Sequence, residues 1–416
     1  MKTPIAILIA CLVGSLGTSA LAAGAAPILP PDEVVVRVLR ANPLVNAAAS
    51  QINVEEANRR RLEAGHYEWN VRLGGQQRKT TPIGSPDERF SEWNAALERP
   101  FRLPGKASLD AEIGAAGVAL AETAQGDALH ESSRYLLKSW FIWLKENAAA
   151  AQWRTQVSLL EKQANAIKRR QQLGDAAQLE TIQSEAALAQ AEAQRTQAQI
   201  RQRTAAEDLR RRFPGLPLSE PTHIIEPVPI TGSAADWLDR ILKESYELSM
   251  AQGEAQFAQV SASRAGRDNL PDPTIGLQFS RERGGQENVV GAYISIPLPG
   301  GARRATSDAS LARVNSANYR AAAIRQKIEA EAAMLYQTAS AAFPTWQASQ
   351  HAAERLGRAA DMTDRAYLLG EGSLNDLLLA RRQANEAQLA ARLLQLEALE
   401  LGYRLRLDAH QLWDLD

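Results

Sequence analysis

The chain has a single cysteine, Cys11, among 416 residues, and it lies in the apolar N-terminal segment. Once that segment is removed, no thiol is left, so disulfide bonds and thiolate metal sites are excluded. The five histidines are far apart in the sequence, and we therefore expect no bound metal. Basic residues are not in excess: the net charge is −1, which offers no positive field for nucleic acid.

Sequence motifs of enzymes are also missing. There is no glycine-rich phosphate loop, no nucleophile elbow and no His-Glu-x-x-His helix. We therefore predict that the chain is not an enzyme and uses no cofactor. The basic run Arg210–Arg212 precedes Pro214, where cations at a helix end offset the dipole, so it does not indicate nucleic-acid binding. No segment has the apolar length of a membrane-spanning helix.

Residues 1–22 have the pattern of a secretory signal peptide. Lys2 gives the positive end, Ile5–Leu16 the apolar core, and Ala20-Leu21-Ala22 a cleavage site. A lipoprotein signal, with Leu8-Ile9-Ala10 before an acylated Cys11, stays open as an alternative. Both interpretations predict export from the cytoplasm.

The rest of the chain is duplicated. Arg169 and Gly174 recur as Arg365 and Gly370, and Leu103-Pro104-Gly105 recurs as Leu298-Pro299-Gly300. A period of about 200 residues indicates two half-molecules rather than a solenoid. The predicted organisation is a first repeat at 23–213 with a hairpin at 69–102 and a tip turn near 174, a linker at 214–233, and a second repeat at 234–416 with a hairpin at 274–297 and a tip turn near 370.

The two hairpins consist of strands of about ten residues, the length that a tilted strand needs to cross a bilayer. Four strands cannot close a barrel, and open edges in lipid leave backbone groups unpaired, so membrane insertion would require oligomerisation. Six aromatic residues are candidates for interfacial girdles: Trp69, Phe90, Trp93, Phe101, Phe279 and Tyr293. The alternative is two soluble hairpins at the end of a helical bundle, with Arg72, Gln278 and Ser295 facing solvent.

Long helices make up the bulk of the protein. Apolar residues recur at spacings of three and four, for example Trp153, Val157, Leu160, Ala164 and Ile167. This pattern is typical of helices that supercoil around neighbours, and the many alanines predict close packing. The predicted fold is mainly α with a small β part.

Gly174 and Gly370 are predicted to be left-handed helix C-caps in tight turns between antiparallel helices. Ser373 with Asp376 has the pattern of a capping box, and Asp175 with Gln178 offers a similar pair. A functional role is compatible with this structural one. If several copies surround an axis, acidic residues of the turns would lie at a pore entrance and favour cations: Asp175, Glu180, Glu371 and Asp376.

These residues together resemble the TolC-like outer-membrane efflux ducts, particularly the heavy-metal (CzcC-like) subgroup. The resemblance covers nearly the whole processed chain and depends on four features in order: Asn42-Pro43-Leu44, Leu270–Thr274, the paired Leu-Pro-Gly motifs, and Arg365…Gly370…Ser373…Asp376-Leu377-Leu378. Two departures are clear. The first half has Glu68-Trp69-Asn70 where the second half has Pro271-Asp272-Pro273. Its turn has Asp175-Ala176-Ala177 where the turn of the second half has Glu371-Gly372-Ser373.

The resemblance implies a homotrimer whose four strands per chain close a twelve-stranded barrel in outer-membrane lipid, with a helical tunnel through the periplasm. It implies a periplasmic adaptor and an inner-membrane RND pump as partners, with Arg169, Gly174, Arg365 and Gly370 at the tip where adaptors dock. The expected cargo is divalent heavy-metal cations. Export of drugs or proteins through the same duct, or a soluble periplasmic coiled-coil scaffold, remain alternatives.

Overall fold

A computed structural model describes residues 28–413 except 82 and 222; the signal segment 1–22 and Cys11 lie outside these residues. Each half contains two short helices, two strands and two long helices. The first half comprises α1 (Asp32–Arg40), α2 (Pro43–Ala64), β1 (Asn70–Thr80), β2 (Glu88–Pro100), α3 (Lys106–Gln172) and α4 (Gln178–Arg212). The second comprises α5 (Ala234–Glu244), α6 (Tyr246–Arg267), β3 (Thr274–Glu282), β4 (Glu287–Ser295), α7 (Gly301–Leu368) and α8 (Leu374–Asp408).

Corresponding helices of the two halves have nearly equal lengths. Both α2 and α6 have 22 residues, both α4 and α8 have 35, and α3 and α7 have 67 and 68. The predicted mainly α fold is thus confirmed. At 1.5 Å per residue, α3 and α7 are each about 100 Å long.

Two separate helices, α1 and α2, stand at the start of the first half, and α2 has its own N-cap at Asn42. Asn42 accepts a hydrogen bond from the Leu44 backbone N–H at 2.9 Å, and Pro43 is the first residue of α2. In the second half the Ser245 hydroxyl accepts from the Leu248 N–H at 3.2 Å and begins α6 in the same way. A side-chain oxygen at this position satisfies an otherwise unpaired helix donor.

The four strands form one antiparallel sheet in the order β1-β2-β3-β4. The central pairing of β2 with β3, for example Leu97 with Leu277, joins the two halves of the chain. The first hairpin is longer than the second. Most of the extra length is in its strands, which have 11 and 13 residues against 9 and 9 in the second.

The main hydrophobic core lies midway along the long helices. There α1 and the segment after α4 pack on α3 and α8 around Leu136, Phe141 and Leu396. A second cluster around Trp237, Ile328 and Leu405 joins α5, α7 and α8. This belt fixes the long helices relative to one another, with the sheet at one end and the two helix–helix turns at the other.

Candidate functional site

Backbone pairing sorts the strand residues into two faces. Arg72 pairs with Ala96, Ala96 with Gln278, and Gln278 with Gly291, and paired residues share a face. The polar face carries most of the hydrogen-bonding side chains: Asn70, Arg72, Gln76, Arg78, Glu92, Asn94, Glu98, Gln278, Ser280, Glu282, Tyr293 and Ser295. The apolar face carries the hydrophobic ones: Val71, Leu73, Trp93, Ala95, Leu97, Ile275, Leu277, Phe279, Val290, Ala292 and Ile294.

Carboxylates link neighbouring strands on the polar face. Glu98 accepts a hydrogen bond from the Arg72 guanidinium at 2.7 Å and another from the Tyr293 hydroxyl. Glu92 forms an ion pair with Arg78 at 3.0 Å, and Arg78 also bonds to Glu282 at 2.8 Å. These bonds form two polar networks, one centred on Glu98 that reaches from β1 to β4 and one centred on Glu92 and Arg78 that reaches from β1 to β3.

The apolar face, in contrast, is open. Leu73 and Val290 are 76% and 79% exposed, and within the described residues no helix packs broadly on this side of the sheet. A contiguous exposed apolar surface of this kind marks a site of contact with lipid or with another protein.

The sheet divides the six predicted girdle aromatics. Trp93 and Phe279 lie on the apolar face with ring centroids 5.3 Å apart, and Trp69 and Phe101 are exposed where the strands meet the helices. Phe101 directly follows β2 and is eight residues from Trp93, a separation of about 26 Å at 3.3 Å per residue.

Two of the six assignments need correction. Tyr293 and Phe90 lie on the polar face, because Tyr293 pairs with Gly276 and Phe90 with Arg78 in the observed register. Tyr293 bonds to Glu98 instead of facing outward with the aliphatic side chains of β4. Neither residue can therefore belong to a girdle on the apolar face.

A buried charge cluster joins the sheet to the helices. Lys106, only 2% exposed, forms ion pairs with Asp268 at 3.1 Å and Asp272 at 3.0 Å, and donates to the Leu270 carbonyl. Burial and a hydrogen bond to Asp272 raise the pKa of Tyr67 to about 12. The sequence analysis did not predict this cluster. One of its residues, Asp272, belongs to the Pro271-Asp272-Pro273 segment, which occurs in the second half alone and could have drawn attention to it.

The two tip turns have the predicted left-handed glycines. Gly174 and Gly370 have φ of 82° and 78°. In the first turn the Asp175 N–H donates to the Arg170 carbonyl at 2.8 Å, and in the second the Glu371 N–H donates to the Ala366 carbonyl at 2.9 Å. This is the Schellman arrangement at a helix C-terminus, repeated in both halves.

The helix starts after these turns differ from each other. The Ser373 hydroxyl accepts from the Asp376 N–H at 3.1 Å and donates to the Asp376 carboxylate at 2.7 Å, so the serine caps α8. The expected pair of Asp175 with Gln178 does not form. Ala177 is the N-cap of α4, and its methyl side chain cannot accept a hydrogen bond. The Asp175 carboxylate instead binds the Arg170 guanidinium at 2.9 Å.

Among the predicted tip residues, Arg169, Gly174, Arg365 and Gly370 are all exposed, as are the acids Asp175, Glu371 and Asp376. Glu180 is half-buried because it accepts a hydrogen bond from the Tyr367 hydroxyl at 3.1 Å. All these residues lie on the two neighbouring turns at the end opposite the sheet.

Two residues that connect the turns were not predicted. The Arg170 guanidinium donates to the Tyr367 hydroxyl at 3.1 Å and lies over its ring. The sequence does distinguish Tyr367, because it is an aromatic residue near the end of α7 and the repeat-equivalent position in α3 is Gln171. Its partner, 197 positions away in the sequence, could not be inferred from local pattern.

A cavity of about 480 Å³ lies in the central belt, lined by His130, Tyr246 and Asp408 among others. Burial, with the positive charge of Arg134 nearby, lowers the pKa of His130 to about 4. The histidine is therefore neutral at physiological pH.

Among the described residues, no helix combines the length and the apolar character needed to cross a membrane. Within the same residues, no group of three or more His, Cys, Asp or Glu side chains is placed to hold a metal ion.

Comparison with protein-family models matches residues 237–406 to the family described as "Outer membrane efflux protein". The match lies entirely in the second half, from within α5 to the last turn of α8. No curated protein matches the sequence.

Solved structures match the whole chain at low sequence identity. The crystal structure of the Campylobacter jejuni CmeC outer membrane channel has a TM-score of 0.75 at 12% identity, covering 100% of this chain and 95% of that one. A CusC structure gives 0.74 at 14%, covering 91% of each chain, and the outer membrane protein VceC from Vibrio cholerae gives 0.70 at 15%, covering 92% and 97%. The chain thus has the fold of these outer-membrane proteins, and its second half carries the sequence match to the efflux family.

Proposed function

We propose that the protein is the outer-membrane channel of a tripartite efflux system. The observation that carries this proposal is the sheet, which has one exposed apolar face, one polar face held by charged networks, and two unpaired edges in β1 and β4. A sheet with these faces suits a barrel wall between lipid and a water-filled lumen. A soluble scaffold would have no use for the apolar face.

The unpaired edges argue for a homotrimer. Four strands are too few to close, and a strand edge in lipid leaves backbone groups unsatisfied. Three copies would supply twelve strands, with β4 of one chain pairing with β1 of the next. The long helices also expose apolar residues that neighbouring copies would cover, including Leu311, Met334 and Met362 on α7.

The long helices would then form a tunnel extending about 100 Å into the periplasm. We place the two repeats at 23–213 and 234–416 with the linker at 214–233, and the signal peptide at 1–22 would direct export. The exposed tip turns, with Arg169, Gly174, Arg365 and Gly370, would contact a periplasmic adaptor that connects the channel to an inner-membrane RND pump. Exposed Leu173, Leu368 and Leu369 add apolar surface there.

The proposed cargo is divalent heavy-metal cations, which pass without any chemical step. Support comes from the exposed acids of the turns, Asp175, Glu371 and Asp376, which would form a negative ring at the entrance in a trimer. The second candidate cargo is drugs or secreted proteins. A duct that binds none of its cargo tightly does not select strongly among the molecules that pass through it.

The test is growth of a deletion strain on a panel of divalent metal salts, dyes, detergents and antibiotics, with complementation and a matched deletion of the neighbouring pump gene. Hypersensitivity confined to a few cations would support metal efflux, and sensitivity to dyes and antibiotics would favour drug export. Recovery of the protein only in the osmotic-shock fluid, without heat-modifiable trimers, would contradict the channel itself.

A further inference from the structure

Charged residues are unequally divided between the two faces of the sheet. All five acidic residues of the strands lie on the polar face: Glu88, Glu92, Glu98, Glu282 and Glu287. Of the six basic residues, only Arg72 and Arg78 are on that face. The other four lie on the apolar face: Lys79, Arg89, Arg99 and Arg281. The face that carries most of the hydrophobic side chains thus has positive charge and no negative charge.

These four cations lie at the two ends of the apolar band and not within it. Arg99 is at the end that meets the helices, where its guanidinium lies over the Trp69 ring and donates to the Tyr67 carbonyl at 2.8 Å. Lys79, Arg89 and Arg281 are at the hairpin end. We call these three the basic rim. In the strand register Lys79 lies opposite Arg89, and Arg281 lies opposite Trp93. The rim therefore begins at the level of Trp93 and continues from there toward the hairpin loops.

Two members of the basic rim have no anionic partner. Lys79 forms an ion pair with Asp87 at 2.5 Å. Neither Arg89 nor Arg281 forms an ion pair with any of the described residues, and both are exposed. Like-charged residues placed together cost free energy unless a negative group lies between them. The acidic residues of the strands cannot provide this negative group, because they are on the opposite face of the sheet.

We propose that the basic rim binds the phosphate groups of an anionic glycolipid of the outer leaflet. This inference rests on the proposed function, because it requires the apolar face to contact lipid. Guanidinium groups match phosphate oxygens in bidentate geometry. The rim lies where an apolar band gives way to head groups, and basic residues at that depth are attracted to anionic lipid. A trimer would present nine such cations around its outer circumference.

The test uses the purified full-length protein in phosphatidylcholine nanodiscs, titrated with bis-phosphorylated lipid A or with the same lipid after removal of both phosphates. Native mass spectrometry counts bound glycolipid, and inorganic phosphate is added in a separate arm. The variants are Arg89→Gln, Arg281→Gln and the double substitution. Arg281→Lys keeps the charge, and Arg313→Gln removes an exposed arginine from α7 as the matched control.

We expect the wild-type protein to retain phosphorylated lipid A over the dephosphorylated form, with each Gln substitution weakening retention about fivefold. Arg281→Lys should recover part of the loss, and Arg313→Gln should bind like the wild type. Equal retention of both lipids, or release by millimolar inorganic phosphate alone, would overturn the proposal. If the wild-type protein also fails to insert in nanodiscs or to fractionate with the outer membrane, the channel assignment itself fails. If the protein inserts but does not prefer phosphorylated lipid A, the glycolipid-binding proposal for the basic rim fails while the channel assignment stands.

Discussion

The Arg170 guanidinium lies 3.1 Å from the Tyr367 hydroxyl and joins the end of α3 to the end of α7. Tyr367 in turn donates to Glu180 in α4 at 3.1 Å. One phenol therefore connects three long helices at the tip, where the chain has no sheet and little core to hold them together.

Replacing Tyr367 with phenylalanine should loosen the tip, because both hydrogen bonds are lost while the ring packing remains. Each bond contributes about 1 kcal/mol, so the helix ends should separate more readily and single-channel conductance in planar bilayers should rise. Tyr319→Phe, at an exposed tyrosine on the same helix, is the control. Unchanged conductance in Tyr367→Phe would show that these bonds do not restrain the entrance.

Gly370→Val should impair efflux and leave trimers in the outer membrane. The position has φ of 78° and open space around it, so the cost is backbone strain of about 1–2 kcal/mol and not a clash. Gly174→Val should behave alike. Gly301→Val, in the first turn of α7 with open space around it and no positive φ, should have little effect. Resistance assays with cell fractionation make the comparison, and wild-type resistance in Gly370→Val would count against the tip assignment.

Lys106→Met should destabilise the protein by roughly 2 kcal/mol, because the mostly buried Asp272 loses its cation and the Leu270 carbonyl loses its donor. The exposed pair of Lys327 with Glu247, 2.9 Å apart, offers a contrast. Lys327→Met should cost about 1 kcal/mol or less. Chemical denaturation of the purified protein measures both. A loss as small for Lys106 as for Lys327 would mean that the cluster adds little to stability.

Acid should destabilise the protein through His130. Its pKa is about 4 in the folded chain against an ordinary 6.5, so the unfolded chain binds more protons between these values. Stability is lost as pH falls through that window, by about 2 kcal/mol at pH 5. His130→Gln should remove this part of the loss, whereas His351→Gln, at an exposed histidine, should not. Thermal unfolding at pH 7.5 and 5 tests the difference.

The sequence was sufficient for features that depend on local pattern and repetition. The duplication, the four strands, the long helices and the left-handed glycines at 174 and 370 are all in the structure. Each is encoded by spacing within a segment, or by the same spacing occurring twice.

Features that depend on register or on distant partners were not accessible in this way. Tyr293 is a different case: alternation along its strand already puts it on the face opposite Ala292 and Ile294, so its assignment to the girdle went against the local pattern. Asp175 was expected to cap α4, but the Arg170 guanidinium competes for it more strongly. Lys106 appears as an ordinary surface lysine until Asp268 and Asp272, more than 160 residues later, are folded against it.

The Lys106 cluster also breaks the symmetry of the duplication. It secures the joint between β2 and β3 inside one chain, while the repeat-equivalent position of Lys106 in the second half is Gly301. A ring of three chains would therefore alternate three reinforced seams with three plain ones. On heating, such a ring should open at the plain seams and release intact protomers, so disassembly would precede the melting of any single chain.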